Sequence, residues 1–278
     1  MAPQHWRLLD YSSVEPAMNL AIEEAILRCR LEHSSPETLR LWQNPPTVVI
    51  GCFQKPELEV ETAACKKFGV NILRRVSGGG AVYHDFGNLN YSIIIKKASL
   101  SSQTEDIEKS YDVFCSGIIE GLKTLGVEAY SQKGNIMIDE KKISGSAQHR
   151  LYDAILHHGT LMVNVNLNVL GNALGISEPK RLLLNLCDLF PEISLCKAKE
   201  IVIKGFEKAF AVKFRKGTLT SMEKRTAKAL YEIKYSKSDW NSRKRSVTLR
   251  TRYFFKHSTD LSDNQNSKVY NTSNYTLR

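Results

Sequence analysis

The stretch "LRRVSGGGAVYHD" (residues 73–85) joins two cations, Arg74 and Arg75, to three consecutive glycines and then to an imidazole and a carboxylate. Glycines let backbone N–H groups come close to an anionic or flat ligand, and the Arg75 fork just upstream can pair with a phosphate or a carboxylate. The run is not a P-loop, which needs a Lys-Ser/Thr pair entering a helix, nor is it a GxGxxG dinucleotide fingerprint. Alone, Gly78-Gly79-Gly80 is more often a flexible or bulged turn. Arg74 and Arg75 on one side and Tyr83, His84 and Asp85 on the other put charge beside the bare backbone, which favours a binding loop.

Two further stretches carry chemistry. In "KKISGSAQHR" (141–150), Lys142 sits in an alternating pattern and precedes Ser144, Gly145, Ser146 and Ala147, small residues that again permit close approach. A lysine facing a pocket there can neutralise a phosphate and a carboxylate together, whereas a lone strand lysine is ordinarily a solvated face. In "ILHHGTLMVN" (155–164), His157 and His158 are adjacent on a strand and therefore point to opposite faces, which rules against shared metal ligation. One lining a pocket while the other packs is the expected arrangement. Six scattered cysteines show no metal or disulfide spacing, so no metal ligands are assigned and free, mostly buried thiols are expected.

These groups must be held by something. An amphipathic helix starts at Pro16, with Leu20, Ala21, Ala25 and Ile26 on its apolar stripe and Glu23 and Glu24 near its beginning. "TLRLWQNPPTVVIGCF" reads as two strands joined by the Asn44-Pro45-Pro46 turn, and "ELEVETAACKKFG" as a helix stopped by Gly69. "VNILRRV" and "GNLNYSIIIKK" are strands connected through the glycines, and a capped amphipathic helix ends at Gly126. "NIMIDEKKISGSAQHR" folds back at "DEKK", and "AILHHGTLMVNVN" is one more strand. Residues 169–214 give short helices and a last strand, and "SMEKRTAKALYEIKYSKSDW" closes with a helix. Strands in the middle with flanking helices, and no strict alternation, predict an α+β domain with a mixed or antiparallel sheet.

With 278 residues, 42% apolar and 24% charged, the chain has the composition of a globular protein, and no apolar run approaches the roughly 18 residues of a membrane span. The first residues lack a signal-peptide apolar core, so a cytoplasmic protein with no membrane partner is expected. A net charge of +10 raises nucleic acid as a partner, but +6 of it falls from Ser236 onward. The remaining, mildly basic body suits a small phosphate ligand or an acidic protein partner equally well. Residues 258–278, rich in Asn, Ser and Thr, predict a poorly ordered tail.

In their order and spacing, "RRVSGGGAVYHDFGNLNYS", "KKISGSAQ" and "HHGTLMVN" closely resemble the lipoate-protein ligase A family of the biotin and lipoate ligase superfamily, as do "NLAIEEAI" and "YSKSDWN". The resemblance implies a class II synthetase-like catalytic domain over residues 1–241, with 242–278 a basic and then polar tail. It also implies a two-step reaction. Lipoate and ATP, with Mg²⁺, give lipoyl-AMP and pyrophosphate; a lysine of a lipoyl domain then attacks the anhydride and releases AMP. The acceptors implied are E2 subunits of 2-oxoacid dehydrogenases and the glycine cleavage H protein. Carried over residue by residue, Lys142 is the key lysine bridging α-phosphate and acyl carbonyl. Arg75, Ser77, Gly78, Gly79, Gly80, Ala81, Val82 and Tyr83 form the loop bordering nucleotide and lipoyl chain. His84 and Asp85 brace that loop, Asn88 orders its return, and Ala147 and His158 line the adenylate pocket.

Two departures stand against the family pattern. Members that act alone carry an accessory domain after the core, whereas 37 residues follow Asn241 here, so a separate small activating protein, or transfer from preformed lipoyl-AMP only, is expected. Where the pattern has Asn-Asp before the lysine strand, this chain has Gly134-Asn135-Ile136, which puts magnesium placement in doubt. The rival enzyme reading is an octanoyltransferase that takes octanoate from acyl carrier protein through a cysteine thioester. No cysteine lies in "LGVEAYSQK", at the distance from Lys142 where related ones carry theirs, and Cys115 falls in a predicted helix. A non-catalytic ligand-binding or nucleic-acid-binding protein is the rival from another class.

Overall fold

The computed structural model describes residues 3–100 and 106–242. Its eleven strands are β1 (Gln4–Asp10), β2 (Thr38–Trp42), β3 (Thr47–Ile50), β4 (Asn71–Arg74), β5 (Val82–His84), β6 (Asn88–Lys96), β7 (Tyr130–Gln132), β8 (Asn135–Ile138), β9 (Lys141–Leu151), β10 (Ala154–Met162) and β11 (Val212–Lys216). Eight form one mixed sheet in the order β11-β1-β2-β6-β10-β9-β8-β7, and β4-β3-β5 form a second, smaller sheet. The α+β architecture with a mixed sheet and flanking helices is therefore as the sequence predicts. From residue 243 on, the expected tail lies outside the described residues. Among the described residues no helix is long and apolar enough to cross a membrane.

Several expectations change in detail. β2 and β3, expected as a turn-linked pair, belong to different sheets, so the Asn44-Pro45-Pro46 turn carries the chain from one sheet to the other. β1 was not foreseen: it pairs in parallel with β2 and with β11, Gln4 opposite Val212, a partner about two hundred residues away. Residues 195–210, expected among short helices, form one long helix started by the Ser194 side chain, which accepts from Lys197 N. The single closing helix is instead Ser221–Leu230, a wider turn at Tyr231–Tyr235 and a short helix at Ser238–Ser242.

The first helix, Pro16–Leu31, is buried on nearly all sides rather than along one stripe, because the main sheet lies under it and the Ser221–Leu230 helix over it. Its two glutamates are consequently interior groups and must be paired. The opposite face of the sheet holds the larger apolar core, with Tyr91, Phe114, Ile143, Leu161 and Phe206 fully buried. The small sheet has its own core, to which Val48, Ile50 and Tyr83 contribute.

Candidate active site

A single row of residues crosses five strands of the main sheet. Trp42 pairs with Asn90, Asn90 with Thr160, Thr160 with Gly145 and Gly145 with Asn135. This row floors a cavity of ≈ 390 Å³. Over it hang Gly79, Gly80, Ala81 and Val82 of the glycine loop, Val49 of β3, and Leu20 and Glu23 of the first helix. Lys142, Ala147, His158, Lys133 and Tyr111 complete the wall.

Strict alternation along β9 would put Lys142 on the face opposite Gly145 and Ala147. A bulge prevents this. Ile136 faces Ser144 but Met137 faces Lys142, so Ile143 is an extra residue and the side-chain phase shifts by one. Ile143 and Ser144 are both fully buried, while Lys142 and Gly145 both border the cavity. The ammonium lies directly over Gly145, where a Cβ would come within 2.6 Å of Nζ. Among the described residues no carboxylate pairs with it. Burial, then the nearby Arg75 charge, pushes its pKa below the ordinary lysine value, a destabilisation of the ammonium that an anion bound in the cavity would relieve.

The three glycines do three different things. Gly78 rests on the ring of Phe53, at 3.7 Å from an added Cβ. Gly79 has φ +83°, where a side chain would be strained and would press on Arg75 Nη2 at 3.1 Å. Gly80 has open space beside it and faces the cavity. Close approach to a ligand thus accounts for part of the run, and the curvature of the loop for the rest.

Arg75 imposes that curvature. Its Nη2 donates to the carbonyls of Gly78 (2.5 Å) and Gly80 (2.8 Å), Nη1 to Val49 O (3.0 Å) and Nε to Ser77 Oγ (2.9 Å). Four of the five N–H groups of the guanidinium are therefore spent on the protein, and one remains for a ligand. Burial lowers its pKa to about 10, which leaves it charged. The free fork expected from the sequence is instead a clamp that shapes the loop.

Other expected site residues divide between the cavity and its supports. Val82 and His84 face the cavity, but Tyr83 between them points into the small sheet's core, since neighbours on a strand alternate. Ser77 is wholly buried behind the wall and hydrogen-bonds His158 Nε2 at 2.7 Å. Asp85 takes Gly87 N and Asn166 N on its two oxygens, bracing the turn. Asn88 Nδ2 donates to Asn90 Oδ1 at 2.8 Å and so holds a floor residue. His84 is kept neutral by burial, with its pKa down at about 3, and meets Trp42 edge-on. As alternation predicts for the His pair, His158 lines the cavity while His157 is fully buried and stacks on Phe114 at 4.5 Å.

The sequence reading missed Glu23, Trp42, Lys133, Asn135 and Tyr111 as lining residues. Glu23 carried a signal: a carboxylate flanked by Leu20, Ala21, Ala25 and Ile26 is out of place unless it is paired. Both Glu23 oxygens lie near His158 Nδ1, at 3.0 and 3.1 Å, and Oε1 also accepts from Ser92 Oγ. Burial works to raise its pKa, but His158 and Arg40 outweigh burial and hold it low. Among the described residues it is the only carboxylate in the lining, and it is spent, so none of these is free to ligate Mg²⁺. The cation-rich wall and bare loop do fit a nucleotide phosphate and an acid together.

None of the six cysteines lines the cavity. Cys115 is wholly buried, and burial pushes its thiol up to about 11.

Comparison with known proteins agrees with this geometry. The lipoyl protein ligase A/B catalytic domain model matches residues 15–207. Lipoate-protein ligase A subunit 1 of Thermoplasma acidophilum is 32% identical over 81% of this chain and 91% of its own length. Octanoyltransferase LipM of Geobacillus kaustophilus is 30% identical over 87% of this chain and 99% of its own. A crystal structure of lipoate-protein ligase A bound with ATP superposes with TM-score 0.79 at 31% identity, covering 86% of this chain and 99% of that one. The Thermoplasma acidophilum bi-partite lipoate protein ligase, solved in a study with its E2 lipoyl domain, gives TM-score 0.79 at 30% identity over 86% and 96%.

Proposed function

The chain belongs to the lipoyl protein ligase A/B catalytic domain family, and from that premise we propose that it joins lipoate to AMP and passes the lipoyl group to a lysine of a lipoyl domain. The observation that carries this reading is one cavity lined by an ammonium with no carboxylate partner among the described residues, an arginine-curved glycine loop and the apolar side chains of Leu20, Trp42 and Val49. A carboxylate and a triphosphate repel, and a carboxylate is a poor electrophile. The Lys142 ammonium offsets that repulsion and holds the lipoate oxygen near the α-phosphorus for displacement of pyrophosphate. In the second step the acceptor amine attacks the acyl carbon and AMP departs with the bonding electrons, its charge again met by Lys142. The single spare N–H of Arg75 and the amides near Gly80 orient the phosphate. His158 and Ala147 shape the adenylate wall. Lys142, the Arg75 N–H and the loop amides are the charge-neutralising groups that the described residues supply.

The Thermoplasma acidophilum relatives support a division of labour in the activation step: the curated protein is named a subunit 1 and the solved structure a bi-partite ligase. We infer that activation here also uses a second polypeptide, while transfer from lipoyl-AMP does not. The acceptors are E2 lipoyl domains or the glycine cleavage H protein. The test is an ATP–pyrophosphate exchange with lipoate, octanoate and biotin, run beside transfer from synthetic lipoyl-AMP to a lipoyl domain. The chain alone should transfer without exchanging. Failure to transfer would overturn the reading, and robust unaided exchange would remove the second polypeptide.

Octanoyl transfer is the second reading, because the LipM relative covers as much of the chain as the ligase does. A thioester route needs a reachable thiolate. The burial of Cys115 and the absence of every other cysteine from the cavity lining weigh against it. Octanoyl-acyl carrier protein incubated with the chain and a lipoyl domain separates the two.

A further inference from the structure

We propose that Glu23 is a positioning residue for the adenylate: acting through His158 and Ser77, its carboxylate sets the Arg75 guanidinium and with it the curve of the glycine loop. This deepens, and rests on, the reading that the loop holds an acyl-adenylate. The hydrogen bonds form one directed chain. In the neutral Nδ1–H tautomer, the one that the acceptor-only Glu23 carboxylate favours, His158 presents its Nε2 lone pair at 2.7 Å to Ser77 Oγ. The Ser77 hydroxyl donates there, which leaves its oxygen to accept from Arg75 Nε at 2.9 Å. Arg75 in turn grips Gly78 O and Gly80 O. Three regions far apart in sequence are thereby put in register: the first helix, β10 and the glycine loop that follows β4.

Carboxylate, imidazole and hydroxyl are also the members of a nucleophile triad, but the geometry opposes that role here. Ser77 is wholly buried, does not line the cavity and already accepts from a cation, which makes its oxygen a poor nucleophile. Nor is the carboxylate there simply to neutralise Arg40. That guanidinium donates to Tyr11 O, Asn19 O and Asn19 Oδ1, and its effect on Glu23 is through charge, with no hydrogen bond between them. What Glu23 uniquely fixes is the tautomer and direction of a cavity-lining imidazole.

The test uses the full chain with Glu23→Gln, Ser77→Ala and the double variant. In lipoyl-AMP transfer, each single variant should raise KM about tenfold, the size expected for one lost hydrogen bond to a charged group, with kcat changed less than threefold. The double variant should also sit near tenfold, because both cut one chain. A merely structural role would lower the active fraction and hence kcat at constant KM. Unchanged KM in Glu23→Gln, or a hundredfold additive rise in the double variant, overturns the proposal. An activity-free readout runs beside it: hydrogen exchange of the Arg75 Nε–H by NMR should accelerate about tenfold in Glu23→Gln. An unchanged rate overturns the relay whatever the reaction proves to be. If the unaltered chain fails to use lipoyl-AMP, the functional reading falls while the exchange rate still decides the relay.

Discussion

Arg74 and Arg75 are neighbours in sequence and belong to opposite kinds of structure. Arg75 clamps the glycine loop and leaves one N–H for the cavity, beside the unpartnered ammonium of Lys142. Arg74 turns the other way into a closed clasp. It donates to the carbonyls of Gly51, Gln54, Trp240 and Asn241, while its own backbone N–H goes to Asn241 Oδ1 and its carbonyl accepts from Trp240 Nε1. Glu23 and Glu24 repeat the division. Glu23 serves the cavity through His158, whereas Glu24 takes Lys234 Nζ at 2.7 Å and Arg28, and Lys234 lies over the Trp240 ring at 4.1 Å. The clasp satisfies its charges within the protein. The cavity keeps some unsatisfied, and that is where binding energy is available.

Breaking the open side should show the largest effect. Lys142→Ala should cut transfer from lipoyl-AMP about 10³-fold, the scale of removing a charge-stabilising donor, with the melting temperature nearly unchanged. Mass spectrometry of the acceptor domain measures it, and an active variant would end the assignment. Breaking the closed side should do the reverse. Arg74→Ala strips several buried carbonyls of their donor and should cost about 3–5 kcal/mol in urea unfolding, with surviving folded protein still turning over. If Arg74→Ala instead spared stability and abolished transfer, the division between the two arginines would be false.

The parts legible in the sequence were those written in contiguous residues: the loop, the lysine strand, and the His pair whose split follows from alternation. What escaped depends on contacts across the fold. Nothing in "KKISGSAQ" announces the bulge at Ile143 that re-aims Lys142, because a bulge is defined by the opposite strand, Ile136 and Met137. β1 has no local partner to give it away, and Trp42 reads as an ordinary strand end until Asn90 is laid beside it. The wrong side for Tyr83 was avoidable, since Val82 and His84 already fixed the phase.

Acid sharpens the comparison at intermediate size. Burial would raise the Glu24 pKa, but Lys234 and Arg28 overcome it and hold it at about 2, against an ordinary value of 4.5. A depressed carboxylate stabilises the fold above its unfolded value, and that contribution is lost as pH falls from 4.5 toward 2. Urea midpoints should therefore drop across this window. Because other buried carboxylates share it, the diagnostic is the difference from Glu24→Gln, whose slope should be flatter. Equal slopes would mean that the clasp is not the acid-sensitive element.

The smallest effect belongs to the thiol behind the cavity wall. Cys115 sits one layer back, wholly buried, and its high pKa leaves almost no thiolate near neutrality. By that account it is part of the closed interior, although Ser146 itself borders the cavity. Cys115→Ser keeps the shape, so transfer from lipoyl-AMP should change less than about twofold. A collapse of acyl transfer in this variant, or an octanoyl adduct on Cys115 by mass spectrometry, would move the thiol to the open side. The two-region picture would then have to be redrawn around a thioester, with Lys142 and Arg75 stabilising its oxyanion instead of an adenylate.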